Sequence, residues 1–388
     1  MQISANLNTV NTTILAPVVR LLKVGIFIAI LAVGCTESNV PSPAVVDYDP
    51  APELELQFNP HDATTLDSFF GDLFEARKFN GVALFAKNGV THSLVHGFRN
   101  FKTKDSLRLD DQFQLASLSK PFTAFSILKL IDEGRLRIDD KVSDHLVCTP
   151  YSDVTIGQLL NHTSGIGYYA YVTDNLWGMP EDPMANSDLL TMMECDEIPL
   201  YFEPGRGFDY CNTNYTLLAN IIEAVTYTSF KDYMEWTIFP ALEMANSEII
   251  DPFSKDANAY DVKGHYPSGD VKLPSYLDGV VGDKGMYSTI ADLYAFYKTI
   301  KSQNPISDSL WAEATSPKAK TGASAFYGYG WRIKPLPEAN DTLIYHNGWW
   351  RGFRTYFWMS SKEDKMCVIL TNSIRGGYLP QQEIWLQF

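Results

Sequence analysis

The chain has 388 residues, of which 45% are hydrophobic and 13% aromatic. This length and composition suffice for one large domain, or two closely packed ones, around a sizeable core. The formal net charge of −15 leaves no basic face to neutralise phosphates, so the composition argues against a nucleic-acid partner.

Residues 1–34 are typical of a secretion signal. Arg20 and Lys23 precede an apolar run over residues 24–33, which is too short to span a bilayer comfortably. The run ends in Leu-Ala-Val-Gly-Cys35, which resembles the lipobox of bacterial lipoproteins, where the cysteine receives the lipid. We therefore expect a lipoprotein-type signal peptide and an exported protein, anchored through this cysteine at a periplasmic or outer-membrane face. An uncleaved anchor and an ordinary signal peptide are the alternatives.

Residues 35–61 predict a Pro-rich tether between this anchor and the folded body at residues 62–388. Five prolines occur in it with little periodic pattern: Pro41, Pro43, Pro50, Pro52 and Pro60. At the start of the body, five apolar residues fall on one helical stripe: Leu66, Phe69, Phe70, Leu73 and Phe74.

The next predicted element is a β-hairpin. Residues 81–87 and 90–96 are rich in apolar and β-prone residues and flank an Asn-Gly pair, the strongest short hairpin signal. His92 and His96 are therefore interpreted as hairpin side chains rather than as a zinc pair.

Residues 113–120 form an apolar approach to an amphipathic helix. Ser117 and Lys120 are three residues apart, so on a helix they share one face and the amine can reach the hydroxyl. Pro121 fits the first helical turn and Gly134 a stop. A serine at this N-terminus has free N–H groups and the helix dipole to stabilise a developing negative charge, as a nucleophile requires.

Helices dominate the middle of the chain and strands its end. Thr155 and Gln158 form a capping box that opens a short helix through Leu160. Further helices are predicted over residues 187–194, 213–227 and 289–301, and strands over residues 327–333, 354–359 and 366–371. The economical architecture is an α/β (α+β) fold, in which N- and C-terminal segments form one antiparallel sheet around a mainly helical insertion.

Two further segments contain residues suited to acyl transfer. Tyr210, on a loop before a helix, can relay a proton, and Asn212 can grip an amide. Gly348, on an apparent strand after His346, lets a substrate approach the backbone closely. A Lys-Thr-Gly triplet at residues 320–322 is a competing candidate for the role of the His346–Gly348 segment. Its surroundings, however, are loop-like, and it precedes the strand near residue 327.

Each motif is weak when taken alone. Ser126 and Lys129 give a second S-x-x-K, and Tyr345 and Asn347 give a second Y-x-N. Together, however, the motifs occur in one order: Ser117-Leu-Ser-Lys120, Leu159-Leu-Asn-His-Thr-Ser-Gly165, Tyr210-Cys-Asn212, Gly285-Met-Tyr-Ser-Thr289, Tyr327-Gly-Tyr-Gly-Trp331 and His346-Asn-Gly348. Over roughly residues 65–375 the chain resembles the serine β-lactamase superfamily, specifically its class C-related branch with DD-peptidases and esterases.

This resemblance implies a role for each matched residue. Ser117 would be the acylated nucleophile, with Lys120 and Tyr210 as the general base and later acid. Asn212 would hold the acyl amide of the substrate. The backbone N–H groups of Ser117 and Trp349 would form the oxyanion hole. No cofactor and no metal are implied.

His346 occupies the position where many members of the superfamily carry lysine. Histidine is mostly neutral at pH 7, so a carboxylated β-lactam loses a fixed cation unless Arg351 or Arg354 supplies one. We therefore expect a small-molecule or peptide-like substrate, cleaved at an ester or amide bond. A β-lactamase or penicillin-binding DD-carboxypeptidase is the alternative, and a non-catalytic binding or sensor protein the third.

The remaining singular residues receive structural interpretations. His162 lacks a companion at metal-ligand spacing and is expected to support the turn after its helix. Trp177 and the tyrosines at 168, 169 and 171 suggest an aromatic wall. The pairing of Cys148, Cys195, Cys211 and Cys367 stays open, as does the oligomeric state.

Overall fold

The computed structural model describes residues 63–388, with gaps at 147–149, 179–180, 195–197, 254–259, 376, 378, 382–383 and 386–387. The predicted signal peptide and tether lie outside the described residues, as do Cys35, Cys148 and Cys195. Within the described part, no helix is long and apolar enough to cross a membrane, and no three His, Cys, Asp or Glu side chains group as metal ligands.

Among the described residues, the main sheet has eight antiparallel strands in the order β2-β1-β13-β12-β11-β10-β9-β8. Its strands are β1 (Gly81–Lys87), β2 (Val90–His96), β8 (Ala319–Lys320), β9 (Phe326–Tyr327), β10 (Arg332–Leu336), β11 (Asp341–Trp350), β12 (Phe353–Ser360) and β13 (Lys365–Thr371). Because the first hairpin pairs with the last strand, the sheet joins both ends of the body. The predicted fold class is confirmed.

Two small sheets accompany it in the part of the chain that the structure describes. One contains β3 (Phe98–Asn100) and β4 (Asp105–Ser106), and the other contains β5 (Phe113–Gln114), β7 (Met286–Ser288) and β6 (Glu248–Ile249), in that spatial order. The pairing of β5 with β7 ties the approach to Ser117 to the segment after Gly285.

The helices lie mainly between the hairpin and the C-terminal strands in sequence. They are α1 (Ala63–Glu75), α2 (Lys120–Asp132), α3 (Val142–His145), α4 (Ile156–Leu160), α5 (Tyr169–Leu176), α6 (Asn186–Glu194), α7 (Asn212–Thr226), α8 (Phe230–Tyr233), α9 (Phe239–Ala241), α10 (Ile290–Ser302) and α11 (Asp308–Ala314). A π-helical turn at Met234–Ile238 links α8 to α9. One apolar cluster packs the insertion against the sheet, and a second packs α1 and C-terminal residues on it.

Several local predictions agree closely with these bounds. The hairpin strands have the predicted limits, and the turn residues Asn88 and Gly89 have φ of +52° and +76°, as a tight hairpin turn requires. The capping box of α4 forms as predicted between Thr155 and Gln158.

Two local predictions are wrong. The helix α2 is not amphipathic, because every residue from Lys120 to Leu128 is buried. The strand predicted over residues 327–333 is two strands, β9 and β10. The turn between them needs glycine: Gly330 has φ of +84°, and an added Cβ there would lie 2.6 Å from Ala124 Cβ on α2.

Candidate active site

Ser117 lies in a 3₁₀ turn at Ala116–Ser119 that leads directly into α2. The turn is backed by β11, since a Cβ on Gly348 would lie 2.1 Å from the Leu115 carbonyl oxygen. Ala116 has φ of +53°, a conformation that non-glycine residues rarely adopt. The serine is therefore presented, half-buried, on a constrained turn at a helix N-terminus, as the sequence predicts.

The Lys120 amine connects the serine to the interior. Its Nζ donates to Ser117 Oγ at 3.1 Å and to the Asp283 carbonyl oxygen at 2.9 Å. The side chain is fully buried, and Nζ lies 5.0 Å from the ring centre of Tyr210. The competing pair is not a site, because Ser126 Oγ donates to the Phe122 carbonyl inside α2.

Two basic side chains lie over the Tyr210 ring. The Lys120 amine is 5.0 Å and Arg332 Cζ is 4.9 Å from its centroid. The ring of His162 packs against it with centroids 4.4 Å apart. The Tyr210 hydroxyl has no hydrogen-bond partner among the residues that the structure describes. It is thus available to a substrate.

His162 holds the Tyr210 loop in place. Its Nδ1 accepts the Cys211 backbone N–H at 3.1 Å and lies 3.2 Å from Asn214 Nδ2. Burial, followed by the charges of Lys120 and Arg332, lowers the pKa of His162 well below 6.5, so the ring stays neutral. This agrees with the structural interpretation of His162.

Asn212 is the first residue of α7 and lies beside the site. Its Nδ2 donates to the Tyr168 hydroxyl at 3.3 Å, whereas its Oδ1 is buried without a partner among the described residues. A buried acceptor without a partner is unfavourable, so a substrate N–H placed here would be stabilised. Cys211, the preceding residue, turns its thiol toward the Gly167 carbonyl, and burial raises the pKa of that thiol to about 11.

His346 is fully buried on β11 and carries no charge at pH 7. Its Nδ1–H donates to the Asn347 carbonyl at 2.8 Å, and its Nε2 accepts from the Tyr327 hydroxyl at 3.0 Å. Burial, then the charges of Arg332 and Lys120, lower the pKa of His346 well below 6.5. Burial also raises the pKa of Tyr327, which therefore keeps its proton as a donor.

Gly348 and Trp349 complete the strand side of the site. A Cβ on Gly348 would also meet Thr355 Oγ1 at 2.3 Å and Ala116 Cβ at 3.1 Å, so only glycine fits. The close approach brings the Trp349 backbone beside the nucleophile turn, while its side chain is 46% exposed. The Lys-Thr-Gly triplet is distant in the sheet order, because β8 lies three strands from β11.

The sequence reasoning missed Arg332 and misplaced part of the aromatic wall. Arg332 directly follows the Tyr-Gly-Tyr-Gly-Trp motif, and this position is the sequence signal that could have identified it. Arg354 donates to the Gly377 carbonyl and Arg351 occupies the turn between β11 and β12, so their proposed role stays a prediction. Tyr169 is not part of a wall, because it is fully buried with its hydroxyl on Asp283.

A family model described as Beta-lactamase matches residues 66–380. The chain belongs to the β-lactamase family. It is therefore a serine hydrolase, as the ordered motifs of the sequence predict.

Relatives and solved structures agree with this assignment. Penicillin-binding protein 4* of Bacillus subtilis is 33% identical, over 79% of this chain and 71% of that protein. D-aminopeptidase of Brucella anthropi is 26% identical, over 81% of this chain but only 60% of its own length. A penicillin-binding protein structure from Bacillus halodurans has a TM-score of 0.71 and 24% identity, covering 82% of this chain and 99% of that chain. An octameric penicillin-binding protein homologue from Pyrococcus abyssi has a TM-score of 0.70 and 26% identity, covering 82% and 75%.

Proposed function

We propose that the protein hydrolyses an ester or a peptide-like amide through an acyl-enzyme on Ser117. The observation that carries this proposal is the buried Lys120 amine, 3.1 Å from Ser117 Oγ, with Tyr210 beside it. A hydroxyl is a weak nucleophile until a neighbouring base takes its proton, and this arrangement supplies one.

The proposed reaction has two halves. Ser117 Oγ attacks the substrate carbonyl, and its proton passes to the Lys120–Tyr210 pair. The tetrahedral oxyanion is held by the N–H groups of Ser117 and Trp349, a contribution of about 3 kcal/mol per donor. The carbonyl reforms, the leaving alcohol or amine takes the proton, and the acyl group stays on the serine. Water then repeats the sequence and releases the acid.

Substrate preference follows from the charges around the carbonyl. Neutral His346 supplies no fixed cation, which favours an ester or amide without a strict need for a carboxylate. D-aminopeptidase of Brucella anthropi, by its name, acts on peptide amides, which supports this choice by analogy.

A second candidate is a β-lactamase or DD-carboxypeptidase, and Arg332 favours it. The guanidinium makes no ion pair with any residue that the structure describes, although it lies beside Tyr210. An unpaired arginine in a site suits the carboxylate of a peptide or penicillin.

Matched substrates distinguish the two candidates. We would compare turnover of a p-nitrophenyl ester, a D-amino acid amide and a penicillin by wild type and Ser117→Ala. Ser117-dependent turnover of the ester or amide alone supports the first candidate, whereas Ser117-dependent reaction with penicillin supports the second. If wild type and Ser117→Ala behaved equally with all three substrates, the remaining interpretation would be a binding protein of the same fold.

Arg332→Gln, compared with Arg351→Gln, tests the cation. On a carboxylated peptide-like substrate, we expect KM to rise about tenfold to a hundredfold in Arg332→Gln only, since hydrogen bonds to charged groups are of this strength. On a matched substrate without the carboxylate, KM should stay unchanged. A larger effect in Arg351→Gln would return the role to that residue.

We also propose that the body is exported and anchored by a lipid on Cys35. Support comes from the apolar run and the Leu-Ala-Val-Gly-Cys ending alone. Metabolic labelling with a fatty acid, followed by detergent partitioning, should show a labelled, membrane-bound protein. Cys35→Ser should be unlabelled; equal label in both would contradict the anchor.

A further inference from the structure

A buried ion pair lies directly behind the catalytic lysine. Asp283 is 0% and Lys284 3% exposed, and Lys284 Nζ lies 3.3 Å from Asp283 Oδ1. Tyr169 closes the group, since its hydroxyl donates to Asp283 Oδ2 at 3.0 Å and accepts from Lys284 at 2.8 Å. The carbonyl of the same Asp283 accepts the Lys120 amine. None of the proposed reaction steps uses this pair, yet two buried charges are costly to keep.

The backbone around the pair is fixed on both sides. Gly282 and Gly285 have φ of +99° and +93°, conformations that favour glycine. The Gly282 carbonyl accepts from Thr123 Oγ1 on α2 at 2.7 Å, and the Val281 backbone exchanges two hydrogen bonds with the Asn186 amide. The Asp283 carbonyl therefore cannot move independently of the helix that carries Lys120.

The pair also touches the strand side of the site. Lys284 Nζ lies 5.1 Å from the Trp350 ring on β11 and donates to the Val280 carbonyl at 2.9 Å. Trp350 Nε1 in turn donates to Asp278 Oδ1 at 2.7 Å. Burial lowers the pKa of Lys284, the Asp283 and Asp278 carboxylates raise it, and the charge of Lys120 lowers it.

Ser117, Tyr210 and Tyr215 surround the Lys120 amine, and the buried imidazoles of His162 and His346 are neutral. Another cation, Arg332, lies over the same Tyr210 ring, with Cζ 4.9 Å from its centroid. The Asp283–Lys284 pair contacts this amine directly, through the Asp283 carbonyl.

We infer that the Asp283–Lys284 pair is a positioning device for the proposed acyl transfer. It fixes the carbonyl that receives the Lys120 amine, and its balanced charges determine how readily that amine holds a proton. The inference rests on the proposed function of Ser117. It makes Asp283 and Lys284 positioning residues, because both are buried and act through Lys120.

Single and double variants test the charge balance. Lys284→Gln leaves the Asp283 carboxylate unopposed, which stabilises protonated Lys120. The acid limb of kcat/KM for a p-nitrophenyl ester should then move up by about one pH unit. Asp283→Asn removes the carboxylate and leaves the positive charge of Lys284 without its partner, so the limb should move down by a similar amount. The double variant should return it to the wild-type position.

Arg99→Gln is the matched control, since it removes another buried cation, whose partners are Asp111, Asp105 and Asp261. It should leave the limb in place. Shifts in the same direction, or a fall in kcat without a shift, would overturn the inference. Circular dichroism shows which variants fold. If at least one single variant folds, its pH profile decides the test; if neither folds, the profile of the double variant decides it. Loss of folding in all three also overturns the inference. Absence of Ser117-dependent turnover in wild type would instead refute the proposed function.

Discussion

The charges of the site depend on which side chains burial leaves ionised. His346 and His162 are buried and neutral, whereas Arg332 lies next to Tyr210 without an ionic partner among the described residues. Tyr210 thus lies beside Arg332 and the Lys120 amine and is packed on an uncharged ring. A phenolate formed during proton transfer would be stabilised there by the charge of Arg332.

Tyr210→Phe tests the role of this hydroxyl. We expect the rate of acylation by a p-nitrophenyl ester to fall by about 10²- to 10⁴-fold, the usual contribution of a general base. The measurement is the pre-steady-state burst of nitrophenol.

Tyr215→Phe is the matched control for this experiment. Its ring also faces the Lys120 amine, at 5.7 Å, but its hydroxyl donates to the Leu160 carbonyl at 2.7 Å. It should lose stability by about 1 kcal/mol and keep its acylation rate. Equal rate losses in both variants would show that Tyr210 acts only through packing.

The candidate site lies where strand β11 contacts the turn before α2. Gly348 is pressed against the Leu115 carbonyl and Thr355 Oγ1, which also donates to that carbonyl at 2.7 Å. The proposed oxyanion-hole role of the Trp349 N–H requires the strand to lie this close. Any side chain at residue 348 would push the strand away from the serine.

Gly348→Ala should therefore damage both fold and activity. Its Cβ would be 2.1 Å from a backbone oxygen, so we expect the free energy of unfolding to fall by about 3 kcal/mol, the upper end of the usual cost of overpacking. Gly322→Ala, in the Lys-Thr-Gly triplet, should be neutral because nothing lies within 4 Å of its added Cβ. Urea denaturation measures the free energy of unfolding of both variants. If Gly322→Ala lost more stability than Gly348→Ala, the segment with the Lys-Thr-Gly triplet would again be the candidate site strand.

The sequence could predict those elements whose signals are local. The hairpin at residues 81–96 and the capping box at Thr155 depend on neighbouring residues, and both were predicted within their bounds. The break between β9 and β10 depends on Gly330 meeting Ala124 on another element, a contact that no local pattern contains. Arg332 escaped notice for the same reason, since only the folded strand brings it to Tyr210.

For the whole molecule, burial of neutral histidines links stability to pH. The pKa values of His162, His265 and His346 are all lowered by burial, so the folded state resists their protonation. The unfolded chain takes up these protons near pH 6.5. The unfolded state therefore binds more protons below that pH, and stability falls as the pH decreases.

His346→Gln should weaken this dependence. Between pH 7 and pH 5, the loss of unfolding free energy should be about 2 kcal/mol smaller than in wild type, because one buried proton acceptor is gone. Tyr327→Phe keeps the imidazole and should keep the full loss. Chemical denaturation at the two pH values measures both, and an unchanged loss in His346→Gln would contradict a neutral, buried His346.

The central claim is that Ser117 carries the acyl group. The most direct test is intact-mass measurement and peptide mapping of the soluble body, without the first 60 residues, after exposure to a fluorophosphonate. The account predicts one adduct, located on Ser117, and none in Ser117→Ala. An adduct on another residue, or equal labelling of both proteins, would contradict it.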